Sequence, residues 1–184
     1  MKIAFLGWGS LIWDKSREFK IDGGWKKDGP KLPIEFARIS TDGRLTLVLY
    51  SGAQLIEVLW ADANTEDLCE ARCKLKMREG TTLDKIEYVS LGNEDNNCKV
   101  VPEILDQIKS WARTKELDAV VWTGLPSNFK EKTKKEFNED TAVEYLKGLK
   151  NGDKQKAKEY IQKAPSQVRT KIRERVEQEL GWKQ

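Results

Sequence analysis

The chain opens with a run of apolar residues that stops abruptly at a glycine. Residues 2–8 read KIAFLGW, and Gly9 and Ser10 follow at once. An apolar run of this length without proline predicts a buried β-strand, and the Gly-Ser pair predicts a tight turn after it. We therefore expect the first strand to end near Trp8 and the turn to continue to Leu11.

Alternating apolar and polar positions next predict a β-meander. The segments LPIEFARIS and RLTLVLY flank a Thr-Asp-Gly turn at residues 41–43, which is the signature of a hairpin. A second turn at Ser51 and Gly52 leads into QLIEVLWA, which we expect to be the third strand. The charged, glycine-containing stretch from Asp14 to Lys31 predicts a surface loop.

From Asn64 onward the apolar residues recur at helical spacing. Leu68, Ala71 and Leu75 lie three and four positions apart. Asn64 is the expected N-cap of this helix, and Gly80 is its expected stop.

The second half of the chain is predicted to be mainly helical. The expected elements are strands at residues 84–91 and 118–125, the second of which joins the N-terminal sheet, and helices at residues 102–115, 139–150, 153–163 and 166–180. A chain of 184 residues suits one well-buried core. We expect a single domain, with residues 1–125 as its core and residues 126–184 as a helical C-terminal extension packed on that core.

Composition and charge narrow the possible partners. The chain carries 33 Lys and Arg against 30 Asp and Glu, and a net charge of +3 is too small to favour a polyanionic partner. In the C-terminal segment, Arg173 and Glu177 form one i,i+4 pair and Arg175 and Glu179 form another, so the charges are expected to cancel on a solvated face. We expect no nucleic-acid partner.

The N-terminus and the cysteines bear on location and metal binding. The first apolar run is too short to span a bilayer and has no small-residue cleavage site, so we expect a cytoplasmic protein with no membrane partner. Three cysteines form an odd set, which favours reduced thiols. Cys69 and Cys73 are spaced to put two thiolates on one metal, but the remaining ligands are missing, so we expect packing and no metal site.

The chain contains no histidine. This excludes Ser-His-Asp and Cys-His nucleophile pairs, and it leaves acid and base chemistry to Glu, Asp, Lys, Tyr or Cys.

Two segments are candidates for such chemistry. A strand that enters the turn at Gly9, Ser10 and Leu11 can point backbone N–H groups into one concavity and bind a carboxylate or an oxyanion, although an ordinary turn is the alternative. The segment LKMREG places Glu79 four residues after Leu75, on the apolar stripe of the predicted helix.

Glu79 is therefore expected to point inward. Burial and the negative end of the helix dipole would favour its protonated form, which suits a carboxyl group that must both accept and return a proton. The alternative is an ordinary salt bridge with Arg78 or Arg72.

These two segments resemble a known superfamily. FLGWGSLIWD is similar to the YGSLIW substrate loop of the ChaC-type branch of the γ-glutamylcyclotransferases, and LKMREG is similar to the LxxRE segment that supplies their catalytic glutamate. The order of loop, meander, helix and glutamate also matches, over roughly the first 90 residues.

The resemblance implies a fold and a reaction. The fold is α+β, with a mixed, barrel-like β-sheet and flanking helices. The reaction releases 5-oxoproline from a small γ-glutamyl amine or a related compound by attack of the substrate's own amine, as in a cofactor-free lyase or acyltransferase. The resemblance assigns Trp8, Gly9, Ser10 and Leu11 to substrate binding and Glu79 to acid/base catalysis.

One position departs from the family pattern. The family loop begins with tyrosine where this chain has Trp8, and an indole N–H donates a hydrogen bond but accepts none. The alternative function is a non-catalytic module on the same fold that binds a small ligand or docks a partner. Arg38 meets a substrate carboxylate if it faces a pocket, although a surface arginine is the default at a strand position.

Overall fold

A computed structural model describes residues 1–15, 19–93 and 95–184 of the chain. Within these residues the strands are β1 Ile3–Gly7, β2 Ile21–Lys26, β3 Lys31–Ile39, β4 Leu45–Leu49, β5 Leu55–Glu57, β6 Leu59–Ala63, β7 Ile86–Ser90 and β8 Ala119–Thr123. The helices are α1 Leu68–Glu79, α2 Pro102–Thr114, α3 Phe129–Thr133, α4 Glu139–Gly148, α5 Asn151–Lys163 and α6 Lys171–Glu179, and a 3-10 turn, Leu83–Lys85, precedes β7. The predicted α+β class is confirmed.

The chain divides into two compact units. The first unit holds residues 1–7, 11–32 and 57–125, and the second holds residues 8–10, 33–56 and 126–184. The C-terminal helices α3 to α6 therefore belong to the same unit as the hairpin of β3 and β4. Across the described ranges, no helix combines the length and the apolar composition that crossing a bilayer requires.

The first unit is built on a mixed five-stranded sheet in the order β2-β6-β1-β8-β7. β1 pairs antiparallel with β6 and parallel with β8, which confirms that the predicted strand at residues 118–125 joins the N-terminal sheet. All five residues of β1 are buried, as its apolar run predicts for a central strand. Within the described residues β2 and β7 are edge strands, so this sheet is open.

Helix α1 covers part of this sheet. Ala71 and Leu75 pack in one buried cluster with Ile3, Phe5 and Val121. This is the apolar stripe that the helical spacing predicts.

The second unit combines the predicted hairpin with helices. β3 pairs with β4 across the Thr-Asp-Gly turn, in a three-stranded sheet of order β4-β3-β5, and α5 packs against β4. α4 begins at a capping box between Asn138 and Thr141. Trp182 is buried beyond the end of α6.

Two strands differ from the sequence prediction. The predicted loop from Asp14 to Lys31 lies partly outside the described residues, and its later part forms β2, which pairs with β6. Gly23 and Gly24 have positive φ angles of 65° and 79°, so β2 is irregular and lacks the alternating pattern that marks a strand. The predicted strand QLIEVLWA is two strands, because β5 joins the three-stranded sheet and β6 joins the five-stranded one.

The start of α1 also differs. Asp67, not Asn64, is the N-cap, because its carboxylate accepts from the backbone N–H groups of Cys69 and Glu70 at 2.7 and 3.1 Å. The predicted stop is confirmed, since Gly80 adopts the left-handed conformation with φ 62° and its N–H caps the last turn.

Two predictions about side-chain environments are wrong. Cys69 and Cys73 are exposed free thiols and do not contribute to packing. Arg173 and Glu177 form the predicted i,i+4 pair, at 3.5 Å, but Arg173 is fully buried and does not lie on a solvated face. Arg175 and Glu179 do form an outer pair, with 2.6 Å between Nε and Oε1.

Candidate active site

The predicted substrate turn begins at an anchored tryptophan. Trp8 is only 5% exposed, and its indole Nε1 donates to the backbone carbonyl of Leu47 on β4 at 3.3 Å. The side chain that replaces the family tyrosine therefore bonds to the protein's own backbone. This hydrogen bond holds the first residue of the turn against the β3–β4 hairpin. The backbone of Gly9 and Ser10 is then the part of the turn that remains a candidate for ligand binding.

Gly9 is required for space. Its backbone does not lie in the left-handed region, so a tight turn alone does not explain the glycine. A Cβ atom added at Gly9 would lie 2.8 Å from the phenol oxygen of Tyr160, a separation that real Cβ atoms do not adopt. The turn is therefore in direct contact with a hydroxyl from α5.

Tyr160 was not singled out from the sequence. It lies on the buried face of α5 and is 6% exposed. Its ring meets Phe36 edge-on at a centroid distance of 6.3 Å, and the guanidinium of Arg44 lies 5.2 Å from the ring centroid on its face. The only available sequence signal was a side chain with a polar tip on the buried stripe of a predicted helix.

Leu11 and the segment after it belong to the first unit. Leu11 is partly buried against the cluster that contains Phe5, Ala71 and Leu75. The residues that follow the turn thus pack on the same core as α1, the helix that carries Glu79.

Arg78 connects this segment to the end of α1. The side chain is 5% exposed, and its Nη2 donates to the backbone carbonyl of Asp14 at 2.9 Å. The Asp14 carboxylate lies 3.7 Å from the same nitrogen, and the Glu79 carboxylate lies 3.9 Å from Nη1. A buried guanidinium that reaches both groups holds the loop against the helix end.

Glu79 is the last residue of α1, directly before Gly80. Its side chain is 19% exposed, so it is neither a fully buried core group nor a solvated surface group. Of the two arginines considered as salt-bridge partners, Arg78 lies within ion-pair distance of Glu79. Arg72 instead lies over the ring of Tyr88, with its guanidinium carbon 4.4 Å from the ring centroid. A partly exposed carboxylate beside a fixed cation can still contact a ligand.

The predicted site residues are divided between the two units. Trp8, Gly9 and Ser10 lie in the second unit, and Leu11 and Glu79 lie in the first. Within the first unit, Arg78 is the neighbour that the salt-bridge alternative for Glu79 named, and Asp14 is a further neighbour that the sequence did not predict.

The other candidates have structural partners. Arg38 is half-buried and its Nη1 donates to the carbonyl of Pro126 at 2.6 Å, and burial lowers the pKa of its guanidinium. Burial, followed by the nearby charge of Glu87, raises the pKa of the Cys98 thiol to about 12, so this cysteine is an inert thiol at neutral pH.

Two buried carboxyl groups were not predicted. Glu87 accepts from the indole N–H of Trp122 at 3.1 Å, and Glu35 accepts from the backbone N–H of Phe36 at 2.7 Å and of Ile172 at 3.4 Å. Burial raises the pKa of Glu87, and it also raises the pKa of Glu35. Both groups are held by donors of the fold, which is typical of structural carboxyl groups.

Comparison with the known protein families, with curated proteins and with solved structures found no match to the chain.

Proposed function

We propose that the chain releases 5-oxoproline from a small γ-glutamyl amine or a related compound, with Glu79 as the acid/base and the segment from Trp8 to Leu11 as the substrate loop. The proposal rests on the resemblance of two sequence segments. The observation that supports it most is the position of Glu79, partly exposed at the end of α1, beside a buried Arg78 that also donates to Asp14 in the segment after the loop.

The proposed reaction is a transfer of one acyl group within the substrate. The α-ammonium group loses a proton to Glu79, and the freed nitrogen attacks the γ-carbonyl carbon to form the new C–N bond. The tetrahedral intermediate then expels the original amine as its C–N bond breaks, and Glu79 returns the proton to that leaving nitrogen. The attacking nitrogen loses its second proton to solvent, so the lactam keeps one N–H. No oxidation or reduction takes place, and one carboxyl group performs both proton transfers.

Arg78 contributes to this scheme through its charge. Burial and the helix dipole favour a protonated Glu79, whereas a neighbouring guanidinium favours the ionised carboxylate, which is the form that accepts the first proton. From the sequence alone, Arg78 is only a competing salt-bridge partner of Glu79. In the proposed site the same cation keeps the base ready and holds the loop segment at Asp14.

The proposal also includes the fold of the superfamily, a mixed, barrel-like sheet with flanking helices. The mixed strand directions around β1 support it. The described strands end at the open edges β2 and β7, so barrel-like curvature, and not closure, is what we propose.

The test is a screen of γ-glutamyl amines and dipeptides for release of 5-oxoproline by the purified chain. We expect Glu79→Gln to lower the rate by about 100- to 10,000-fold, because the amide cannot take a proton. Glu70→Gln is the matched control on the same helix, since Glu70 is exposed and paired with Lys74, and it should retain the wild-type rate. A Glu79→Gln variant with full activity, or a wild-type chain that releases no 5-oxoproline, would contradict the proposal.

A second candidate function is a non-catalytic module that binds a small ligand. The observation that favours it is the indole N–H of Trp8, which is bonded to the Leu47 carbonyl, so the side chain at the family's tyrosine position offers no group to a substrate. Calorimetry separates the two candidates. Binding of a γ-glutamyl amine that persists for hours without 5-oxoproline release supports the binding module.

A further inference from the structure

Two exposed thiols lie on one face of α1. Cys69 and Cys73 are four residues apart in this helix, and both are exposed. Residues at this spacing are neighbours on a helix surface. Free cysteine is among the most buried residue types, because it packs as a small apolar side chain. Packing therefore does not account for this pair, and thiol chemistry is the property that the two residues share.

The spacing of the two residues suits a bridging atom better than a disulfide. Helical neighbours four apart have Cβ atoms about 5–6 Å apart, whereas a disulfide brings its Cβ atoms to about 3.5–4.5 Å. A disulfide would therefore distort a helix that runs unbroken from Leu68 to Glu79. Two thiolates on one metal ion, each at about 2.3 Å, hold their sulfur atoms up to about 4.6 Å apart, and this span fits the wider separation.

The number of ligands decides which ion fits the pair. Structural zinc and iron–sulfur clusters take four ligands, mostly thiolates and imidazoles, but this chain has three cysteines and no histidine. The third thiol, Cys98, donates to the Tyr88 carbonyl at 3.0 Å, and burial raises its pKa to about 12, so it stays protonated at neutral pH. Within the described ranges, no cluster of three or more metal-ligating side chains occurs. A soft ion that two sulfur atoms satisfy remains, and copper(I) is such an ion.

Neighbouring side chains fit the charge and the softness of such a complex. Two thiolates around one monovalent ion carry a single negative charge, and Lys76, three residues after Cys73, brings an ammonium group to the same part of the helix surface. Met77 is 72% exposed and adds a thioether one turn beyond Cys73. It lies eight residues from Cys69, about 12 Å along the helix axis, so it does not share an ion held between the two thiols.

We propose that Cys69 and Cys73 form a binding site for a soft monovalent metal ion, copper(I), held between their two sulfur atoms. Binding replaces the two S–H protons, which pass to solvent, and it forms two sulfur–metal bonds without oxidation or reduction of either partner. The site lies within the first unit. It involves neither Glu79 nor the segment from Trp8 to Leu11, so failure of one proposal leaves the other unaffected.

The test measures the affinity of the whole chain for copper(I), kept reduced with ascorbate, in competition with a coloured copper(I) chelator. We expect one ion per chain, and X-ray absorption should show two sulfur ligands. Cys69→Ser and Cys73→Ser should each weaken binding by at least about 100-fold, because losing a ligand exceeds the roughly 10- to 100-fold effect of losing a ligand's partner. Both thiols are exposed, so the variants should keep the wild-type thermal midpoint.

Two control variants separate this geometry from the presence of thiols alone. Cys98→Ser removes the third thiol and should keep the wild-type affinity. Cys73→Ser/Met77→Cys keeps two exposed thiols on α1 but separates them by about 12 Å along the axis, so it should bind as weakly as Cys73→Ser. A wild-type chain that binds copper(I) no more tightly than Cys69→Ser/Cys73→Ser would overturn the proposal, and so would wild-type affinity in the Cys73→Ser/Met77→Cys chain.

Discussion

Each unit of the molecule contains a buried arginine, and the two arginines have different surroundings. Arg78 lies at the end of α1 in the first unit and is 5% exposed, and Arg173 lies near the start of α6 in the second unit and is 1% exposed. Both side chains are shielded from water, so each needs hydrogen-bond partners within the protein.

Arg173 is surrounded mainly by neutral oxygens of its own neighbourhood. Its donors reach the backbone carbonyls of Ala164, Pro165 and Val168 at 3.2, 2.8 and 3.0 Å, and the side-chain oxygen of Gln184 at 2.9 Å. Through these bonds the guanidinium joins the segment after α5, the start of α6 and the C-terminal end of the chain. Its function is to hold the backbone.

Arg78 donates to the backbone carbonyl of Asp14, and it lies close to the carboxylates of Asp14 and Glu79. A guanidinium among carbonyls stabilises a fold, whereas a guanidinium close to partly exposed carboxylates also sets their charge and orientation. Burial alone does not separate a structural arginine from one in a site. Arg173 also lies 3.5 Å from the Glu177 carboxylate, so what sets it apart is the set of three backbone carbonyls that it joins.

The largest expected effect comes from Arg173. Replacement by methionine keeps most of the volume but removes a donor from three carbonyls, of which Pro165 keeps the Val168 N–H and Ala164 keeps the Gln184 amide, and it leaves the buried side of Glu177 without its i,i+4 partner. Arg173→Met should therefore lower the free energy of unfolding by about 3–5 kcal/mol. Denaturant unfolding of the whole chain measures the loss, and amide hydrogen exchange should show it in α5 and α6.

The control for Arg173 is Arg175, two residues along the same helix. Its guanidinium pairs with Asp140 and Glu179 at the surface, so Arg175→Met should have a much smaller effect than Arg173→Met. Equal effects of the two variants would mean that the carbonyl bonds of Arg173 do not hold this region.

Arg78 should give the opposite balance of stability and activity. Arg78→Met takes the guanidinium donor from the Asp14 carbonyl, so the free energy of unfolding should fall by about 1–3 kcal/mol. The rate of 5-oxoproline release should fall by about 10- to 100-fold, because Glu79 loses the cation that favours its ionised form.

The conservative variant Arg78→Lys distinguishes charge from geometry. It retains a cation near Glu79 but lacks the planar fork that reaches Asp14, so it should recover part of the activity and shift the pH dependence of the rate less than Arg78→Met does. Activity that follows stability alone in both variants would assign Arg78 the same structural role as Arg173.

Most elements of the fold could be predicted from the sequence, because their patterns are local. The buried strand at Ile3–Gly7, the hairpin around the Thr-Asp-Gly turn and the stop of α1 at Gly80 each follow from neighbouring residues. β2 could not be predicted in the same way, because its two glycines interrupt the alternation and its pairing partner, β6, lies far along the chain.

The candidate site was predictable only in part, for a similar reason. Glu79 and the turn at Gly9 carry local sequence signals. Tyr160 is about 150 residues from Gly9, and nothing within α5 shows that its hydroxyl touches a glycine in another part of the sequence. The burial of Arg173 could not be predicted from the sequence either. Its i,i+4 spacing with Glu177 is typical of a surface pair, and the carbonyls around it are known only from the structure.

The smallest expected effect concerns Glu87, a buried carboxyl group in the same unit as Arg78. Because burial raises the pKa of Glu87 above its ordinary value of 4.5, the folded chain holds a proton that the unfolded chain releases. The stabilising contribution of this group is therefore complete below about pH 4.5 and is lost as the pH rises through the raised value. Each unit of such a difference is worth about 1.4 kcal/mol.

Glu87→Gln should remove this pH dependence. The amide oxygen can still accept from the Trp122 indole, so relative to the wild type the variant should gain stability as the pH rises above about 4.5. Lys85, Lys99 and the Cys98 thiol face the same group, and the lysines limit the gain because they favour the ionised form. Glu103→Gln, an exposed change of equal charge on α2, controls for net charge and should follow the wild-type profile. If Glu87→Gln also follows the wild-type stability profile, Glu87 is ionised in the folded chain. The first unit would then stabilise a buried carboxylate, as the second unit stabilises its buried arginine.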